Sequence, residues 1–298
     1  VLLQTGAASQ GQGHQTVYSQ IVADELGVSI EDIVYQSADT GVVPHGIATA
    51  GSRVTANAGP ASQDAARQVR TKALKFAAEL LEISEEDLEI QDGIVRGKPE
   101  LGHNVHISLA ELSLKLSPLM NGKVPEGYDP ELEATSFTSS TGVPHASGTS
   151  IAEVEVDIET GGVKLLNYVI SHDCGTMINP MLVDGQIIGG VVHGISNAMF
   201  ERMVYDDNAQ PLSTNYGEFL LPIATEMPPI HVMHQETPSP HNELGVKGAG
   251  EGGTIPAANA IIAAIENALS PFDIVINDHP VDPQRICELL DDAQARAA

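Results

Sequence analysis

Apolar residues follow two periods along the chain, and the period changes near its middle. Val17, Ile21, Val22 and Leu26 stand four, one and four apart and stop at Gly27, which predicts an amphipathic helix with a glycine C-terminus. Ser29 to Asp32 reads as a short capped turn leading into a strand over 33–36. Residues 41–51 read as a loop. A long helix is predicted from about Ser52 to Leu81. Ala66, Val69, Ala73, Phe76 and Leu80 form its apolar stripe, and Gly59-Pro60 interrupts it near the start. Ser84 to Asp87 resembles a capping turn. Two short apolar runs, 88–91 and 94–96, flank Asp92-Gly93, a strong hairpin signal. Residues 107–116 read as a short amphipathic helix.

Residues 118–148 are rich in Pro, Gly, Ser and Thr and have little periodicity, which places a boundary or a partner-contacting loop there. Beyond it Ile151, Val154, Val156 and Ile158 lead through Thr160-Gly161-Gly162 into a second long strand, Val163 to Ile170. A helix with many small residues follows over 180–199. A strand is expected over 230–234, and a strongly apolar helix, expected to be buried, over 255–269. Asp282-Pro283 supplies an N-cap and a first-turn proline for a last helix. The expectation is an α+β fold of two related two-layer α/β sandwiches, with mixed sheets and crossing helices. Residues 1–148 would form the first subdomain and 149–298 the second. The opening Val1-Leu2-Leu3-Gln4-Thr5 reads as a strand already under way, so a piece of a longer chain is expected.

Of the 298 residues, 42 % are apolar, enough for packed cores. Forty acidic against 14 basic side chains give a formal charge of -26. That excludes a cationic footprint for nucleic acid and argues against docking on anionic membranes. No apolar run approaches the roughly 20 residues of a membrane span. Two cysteines, Cys174 and Cys287, make no disulfide framework, and a reducing, cytoplasmic compartment is expected.

The candidate chemistry lies where glycines meet predicted helix starts. Lys247-Gly248-Ala249-Gly250-Glu251-Gly252-Gly253 runs directly into the apolar helix. Backbone N–H groups there suit an anion or an oxygen-rich ligand. Glu251 has two readings, a general base in a confined site or a solvated carboxylate at a positive helix end. A dinucleotide fingerprint does not fit, because Thr237 to Glu243 is no hydrophobic strand. Gly11-Gln12-Gly13-His14 and Thr49-Ala50-Gly51-Ser52-Arg53 are two further Gly-containing starts. A fourth combines Asp173 to Pro180 with Gly185-Gln186-Ile187-Ile188-Gly189-Gly190. Each alone is an ordinary tight turn. Together they point to one large, polar, phosphate-bearing ligand held from several sides. The pairs His103/His106 and His231/His234 lack a third ligand and read as structural or surface residues. Cys174 reads as a buried inert thiol, with a nucleophile as the lesser alternative.

Taken in order, five of these runs resemble the molybdenum-cofactor-binding subunit of the xanthine dehydrogenase, aldehyde oxidase and carbon monoxide dehydrogenase family, in its C-terminal half. They are Gly11-Gln12-Gly13-His14, Gly51-Ser52-Arg53, Asp173 to Pro180, Gly185 to Gly190 and Lys247 to Glu251. The resemblance implies an oxidoreductase that hydroxylates an aldehyde, an N-heterocycle or a related carbon centre with water as the oxygen source. It implies molybdopterin, in its cytosine dinucleotide form, carrying molybdenum through the pterin with no direct protein ligand. It further implies 2Fe-2S clusters and FAD on partner subunits. Glu251 takes the family's position of base toward a hydroxyl ligand on molybdenum. Gln12, Gly13, Ala50, Gly51, Ser52, Arg53, Gln186, His193, Lys247 and Gly250 take positions near the cofactor, with His193 standing where the family usually has Gln. The family's other cofactor-binding half lies upstream of Val1. Its partners are therefore that half, an iron–sulfur subunit and an FAD subunit, and the chain alone is expected to be inactive. The alternatives are a non-catalytic scaffold that keeps the fold and a nucleotide-binding module without redox chemistry.

Overall fold

The computed structural model describes all residues except 47, 100, 101, 103, 122, 123, 139, 140 and 298. The chain forms two compact units. Val1–Val143 with Pro240–Leu244 make the first, and Pro144–Ser239 with Gly245–Ala298 the second.

In the first unit, β1 (Leu2–Thr5) pairs in parallel with β2 (Val34–Ser37). Between them α1 (His14–Leu26) buries Val17, Ile21, Val22 and Leu26 and ends at Gly27, whose left-handed N–H bonds the Ala23 carbonyl. The long helix α2 (Val54–Leu81) packs on α1. It starts two residues later than the apolar pattern suggests, because Ser52 has φ 55°, outside helical space. Pro60 does not break it. The proline sits in the second turn, where burial of Val54, Ala56 and Gly59 offsets one lost hydrogen bond. Of its expected stripe, Ala66, Ala73 and Phe76 are buried and Leu80 is exposed.

The antiparallel sheet β3 (Leu88–Gln91), β4 (Ile94–Gly97) and β5 (His106–Ser108) completes this unit. Asp92 and Gly93 both have positive φ, as the hairpin turn requires. Residues 106–108 pair with β4 as a strand instead of opening a helix. The helix α3 (Leu109–Leu116) begins behind a Ser108–Glu111 capping box. Phe76, Leu88, Ile90, Val95, Leu112 and Leu116 close one core over this sheet. One short helix, α4 (Pro118–Asn121), precedes the irregular stretch.

The second unit is built on a mixed sheet in the order β6 (Ser147–Val156), β7 (Val163–Asp173), β8 (Ile230–Gln235). β6 and β7 form the expected antiparallel hairpin, with Ile158 left outside it, and β8 joins β7 in parallel. Helix α5 (Pro180–Met199) connects them, and α6 (Thr254–Ala268) packs against both α5 and β6. Ile170, Ile187, Val191, Ile195, Ile261 and Ile265 are fully buried in one continuous core. That core also takes Ile286 and Leu290 from α7 (Pro283–Ala297), whose N-cap is Asp282. The expectation that α6 is buried throughout holds for one face only, since Ile255 is 71 % exposed. None of the described helices is long and apolar enough to cross a membrane.

One-sided burial of α6 has a measurable consequence. Ile261→Ala should cost about 2–5 kcal/mol, and Ile255→Ala should change stability by no more than about 0.5 kcal/mol, in denaturant unfolding. Equal costs at the two positions would contradict the packing described.

Candidate functional site

A helix leaves its first N–H groups without internal partners, and a side-chain cap normally satisfies some of them. Among the described residues, three α-helices have such a cap. Glu111 N–H donates to Ser108 Oγ at α3, Leu182 N–H to Asn179 Oδ1 at α5 (3.0 Å), and Arg285 N–H to Asp282 Oδ1 at α7 (2.8 Å). At α1, α2 and α6 the N-cap residues are Gly13, Arg53 and Gly253, and none of these three makes a side-chain cap. These three starts are the Gly-containing runs singled out from the sequence.

In the first unit two of them lie side by side. Thr49 Oγ1 donates to the Ala8 carbonyl (2.8 Å), and a Cβ on Gly46 would collide with the Gly6 carbonyl. The turn before α1 is thereby laid against the loop before α2. Gly13 caps α1 from the left-handed region (φ 74°), which a side chain would disfavour. Gln12 accepts a hydrogen bond from Gln10 N–H at 2.5 Å. Ala50, Gly51 and Arg53 are exposed, and Ser52 is half-buried. Beneath the α1 start the imidazole of His14 is buried beside Tyr18 (ring centroids 5.3 Å apart). Burial lowers its pKa and keeps the ring neutral.

In the second unit the loop bearing Glu251 is stitched to the end of β7. Gly175 and Val246 form an isolated bridge, and Lys247 N–H donates to the Cys174 carbonyl at 2.7 Å. Lys247 Nζ lies 3.1 Å from Asp173 Oδ2, with the two side chains only 12 % and 9 % exposed. Its ammonium therefore anchors the loop on β7. Burial alone would raise the Asp173 pKa. The Gly175 and Thr237 N–H groups, the Thr237 hydroxyl and the Lys247 ammonium outweigh it and bring the carboxyl to about 2.

On its other side the loop meets α5. Thr254 Oγ1 donates to the Gly190 carbonyl (2.9 Å), and a Cβ on Gly253 would collide with the Ile187 carbonyl. Half-buried Gln186 is thus one residue from the contact that holds Gly253. Gly250 and Glu251 are exposed, and the Glu251 carbonyl accepts the Ile255 N–H. Pro256 has no N–H, so the α6 start offers fewer backbone donors than α1 or α2. Its distinctive group is the carboxylate.

One sequence expectation needs correcting. Gly185 to Gly190 is not a helix start, because Asn179 already caps α5 and these residues fill its second and third turns. Gly190, and Gly194 one turn on, give α6 a close approach at Thr254 and Ala257. His193 is exposed on α5. His231 and His234 alternate on β8, so they point to opposite faces, and His234 Nε2 lies 2.6 Å from Asp184 Oδ1. The pair His103/His106 lies partly outside the described residues, since His103 is not among them. Cys174 is buried and its thiol is pushed up to about 11 by burial, which suits an inert thiol. Among the described residues no group of three His, Cys, Asp or Glu side chains could hold a metal ion. Sequence reasoning missed Asp173 as the anchor of Lys247, and it missed His172.

Residues 1–228 match the molybdopterin cofactor-binding domain family. The chain belongs to this family. It is 37 % identical over 288 residues to the nicotine 6-hydroxylase large subunit of Paenarthrobacter nicotinovorans, covering 96 % of this chain and 35 % of that subunit. Its fold is similar to reconstituted CO dehydrogenase from Oligotropha carboxidovorans, with a TM-score of 0.87, 32 % identity, and coverage of 99 % of this chain and 36 % of that one. It is also similar to quinoline 2-oxidoreductase from Pseudomonas putida 86, with a TM-score of 0.85, 35 % identity, and coverage of 98 % and 36 %. The chain spans about a third of the length of these relatives. The donor set fits the cofactor of the family. Uncapped helix starts and bare glycines suit pterin and phosphate oxygens, and the described residues hold no competing metal cluster.

The Asp173–Lys247 pair carries a prediction with a definite sign. Asp173 has a depressed pKa in the folded chain. Its stabilisation is complete above the ordinary carboxyl pKa and is lost as pH falls from about 4 toward 2. Asp173→Asn leaves the buried ammonium uncompensated and should cost about 3 kcal/mol at pH 7. Denaturant melts at pH 7, 4 and 2 should show this deficit shrinking with acidity. A deficit that does not change with pH would contradict the pair's role.

Proposed function

We propose that this chain forms the molybdopterin-holding and base-bearing part of a molybdenum hydroxylase. That enzyme would be an oxidoreductase that hydroxylates an aldehyde, an N-heterocycle or a related carbon centre with oxygen from water. The observation that carries the reading is the coincidence of three helix starts lacking an N-cap side-chain bond with three of the runs that carry the resemblance, in a chain of formal charge -26. So acidic a chain holds an anionic cofactor best with backbone amides.

In this reading the first unit contributes Gln12, Gly13, Ala50, Gly51, Ser52 and Arg53 to the pterin and its phosphates. The second contributes Gln186, His193, Lys247 and Gly250. Lys247 acts through the loop it ties to Asp173. The cofactor, taken as the cytosine dinucleotide form, supplies two-electron redox chemistry when bound. Glu251 accepts the proton of the attacking oxygen on its carboxylate. An exposed carboxylate is held by water, and a general base in this place needs a drier surrounding. The remaining part of the catalytic subunit supplies that wall, together with much of the substrate pocket. The complete enzyme passes electrons to 2Fe-2S clusters and FAD on partner subunits, in a reducing compartment such as the cytoplasm. The chain by itself is incomplete and inactive.

Glu251→Gln in the complete enzyme should lower kcat by about 10²–10⁴-fold, with molybdenum content unchanged by metal analysis. A near-normal kcat would remove Glu251 from the chemistry. The chain purified alone should show neither stoichiometric molybdenum nor turnover, and finding both would overturn its incompleteness.

A further inference from the structure

Next to Asp173 on β7 stands His172, a buried group with no part in the chemistry above. It is 2 % exposed, and neither ring nitrogen has a hydrogen-bond partner among the described residues. A Cβ on Gly252 would collide with Nε2 and Cδ2 of this ring, so the ring edge lies directly against the Gly252 backbone, one residue after Glu251. The ring is fixed from the other sides by strand neighbours. His172 stands opposite Gly148 on β6 and opposite His234 on β8. Its charged form is disfavoured first by burial and then by His234, so the ring is neutral and its shape is what it presents to the loop.

Consecutive residues of one strand thus touch both sides of Glu251. Asp173 ties down Lys247 before it, and His172 supports Gly252 after it. An unpaired buried imidazole destabilises the fold, and no hydrogen bond to a described residue offsets that cost here. We propose that His172 is a positioning residue for the Glu251 loop: its ring edge sets the position of the Gly252 backbone and, through it, the place of the Glu251 carboxylate. This rests on the reading of Glu251 as the general base.

The contact is tested from both sides in the complete, molybdenum-loaded enzyme. Gly252→Ala drives a methyl into the ring and should lower kcat about tenfold or more, with KM and molybdenum content near wild type. Adding His172→Ala makes room for that methyl. The double variant should recover both kcat and Tm relative to Gly252→Ala alone, a non-additive coupling. His172→Ala alone should lower kcat and leave KM near wild type. His172→Phe, which keeps a ring of similar width, should retain most of the kcat that His172→Ala loses. Additive changes in Tm would overturn the contact. Coupling in Tm with unaltered kcat in every variant would overturn the positioning role. A near-normal Glu251→Gln enzyme would remove the general-base reading, and the positioning role with it, while the Tm coupling stands.

Discussion

An anionic ligand must find positive potential somewhere on its host, and this chain has little of it in side chains. Forty carboxylates face 14 basic groups, and Lys247 is already neutralised by Asp173. What remains at the Gly-containing runs is the exposed guanidinium of Arg53 and the partial positive charge of backbone N–H groups at helix N-termini. Such groups are available only where no side chain caps them. The structure divides its helices along this line. Those with structural roles alone, α3 and α7, start behind Ser108 and Asp282, and α5 starts behind Asn179. The helices that follow the Gly-containing runs, α1, α2 and α6, have no such cap. The proposed cofactor site depends on this division.

Bare amides serve a ligand only if the loops that carry them hold still. In the first unit the two loops fix one another through Thr49 and Ala8 and through the close approach of Gly46 to Gly6. In the second, the loop carrying Glu251 is fastened to β7 by a bridge, a buried ion pair and a ring contact, and to α5 through Thr254 and Gly253. β7 is the central strand of its sheet, so the loop is referred to the most constrained backbone in that unit. The carboxylate itself stays exposed. Rigid mounting comes from this chain, and under the proposed function the desolvation comes from the rest of the subunit.

Local features were legible in the sequence. The spacing of Val17 to Leu26 with Gly27, the Asp92-Gly93 turn, Asn179-Pro180 and Asp282-Pro283 each encode their element within a few residues, and each stands where expected. Errors arose where distant pairing decides. Ile107 reads as helical until β4 takes it as a strand partner, although Ser108 and Glu111 already marked the true helix start. Gly185 to Gly190 lies inside the helix expected over 180–199, and Gly190 there makes a close approach to α6 that glycine spacing alone does not separate from a ligand contact. Ordered motifs single out Glu251 and the turns at 11–13 and 50–53 as candidates. Their supports are not marked in this way, because Asp173 and Lys247 are 74 residues apart and no local pattern joins them. His172 carries no sequence signal, since its role depends on the missing side chain of Gly252.

The most direct test of the central claim is a structure of the complete, cofactor-loaded subunit with molybdenum located by its anomalous scattering. The expected result places the Glu251 carboxylate within hydrogen-bond reach, about 3 Å, of an oxygen on the metal, with the N–H groups around residues 13 and 51 on the pterin or its phosphates. A metal site remote from Glu251, or a cofactor that leaves those turns untouched, would contradict it.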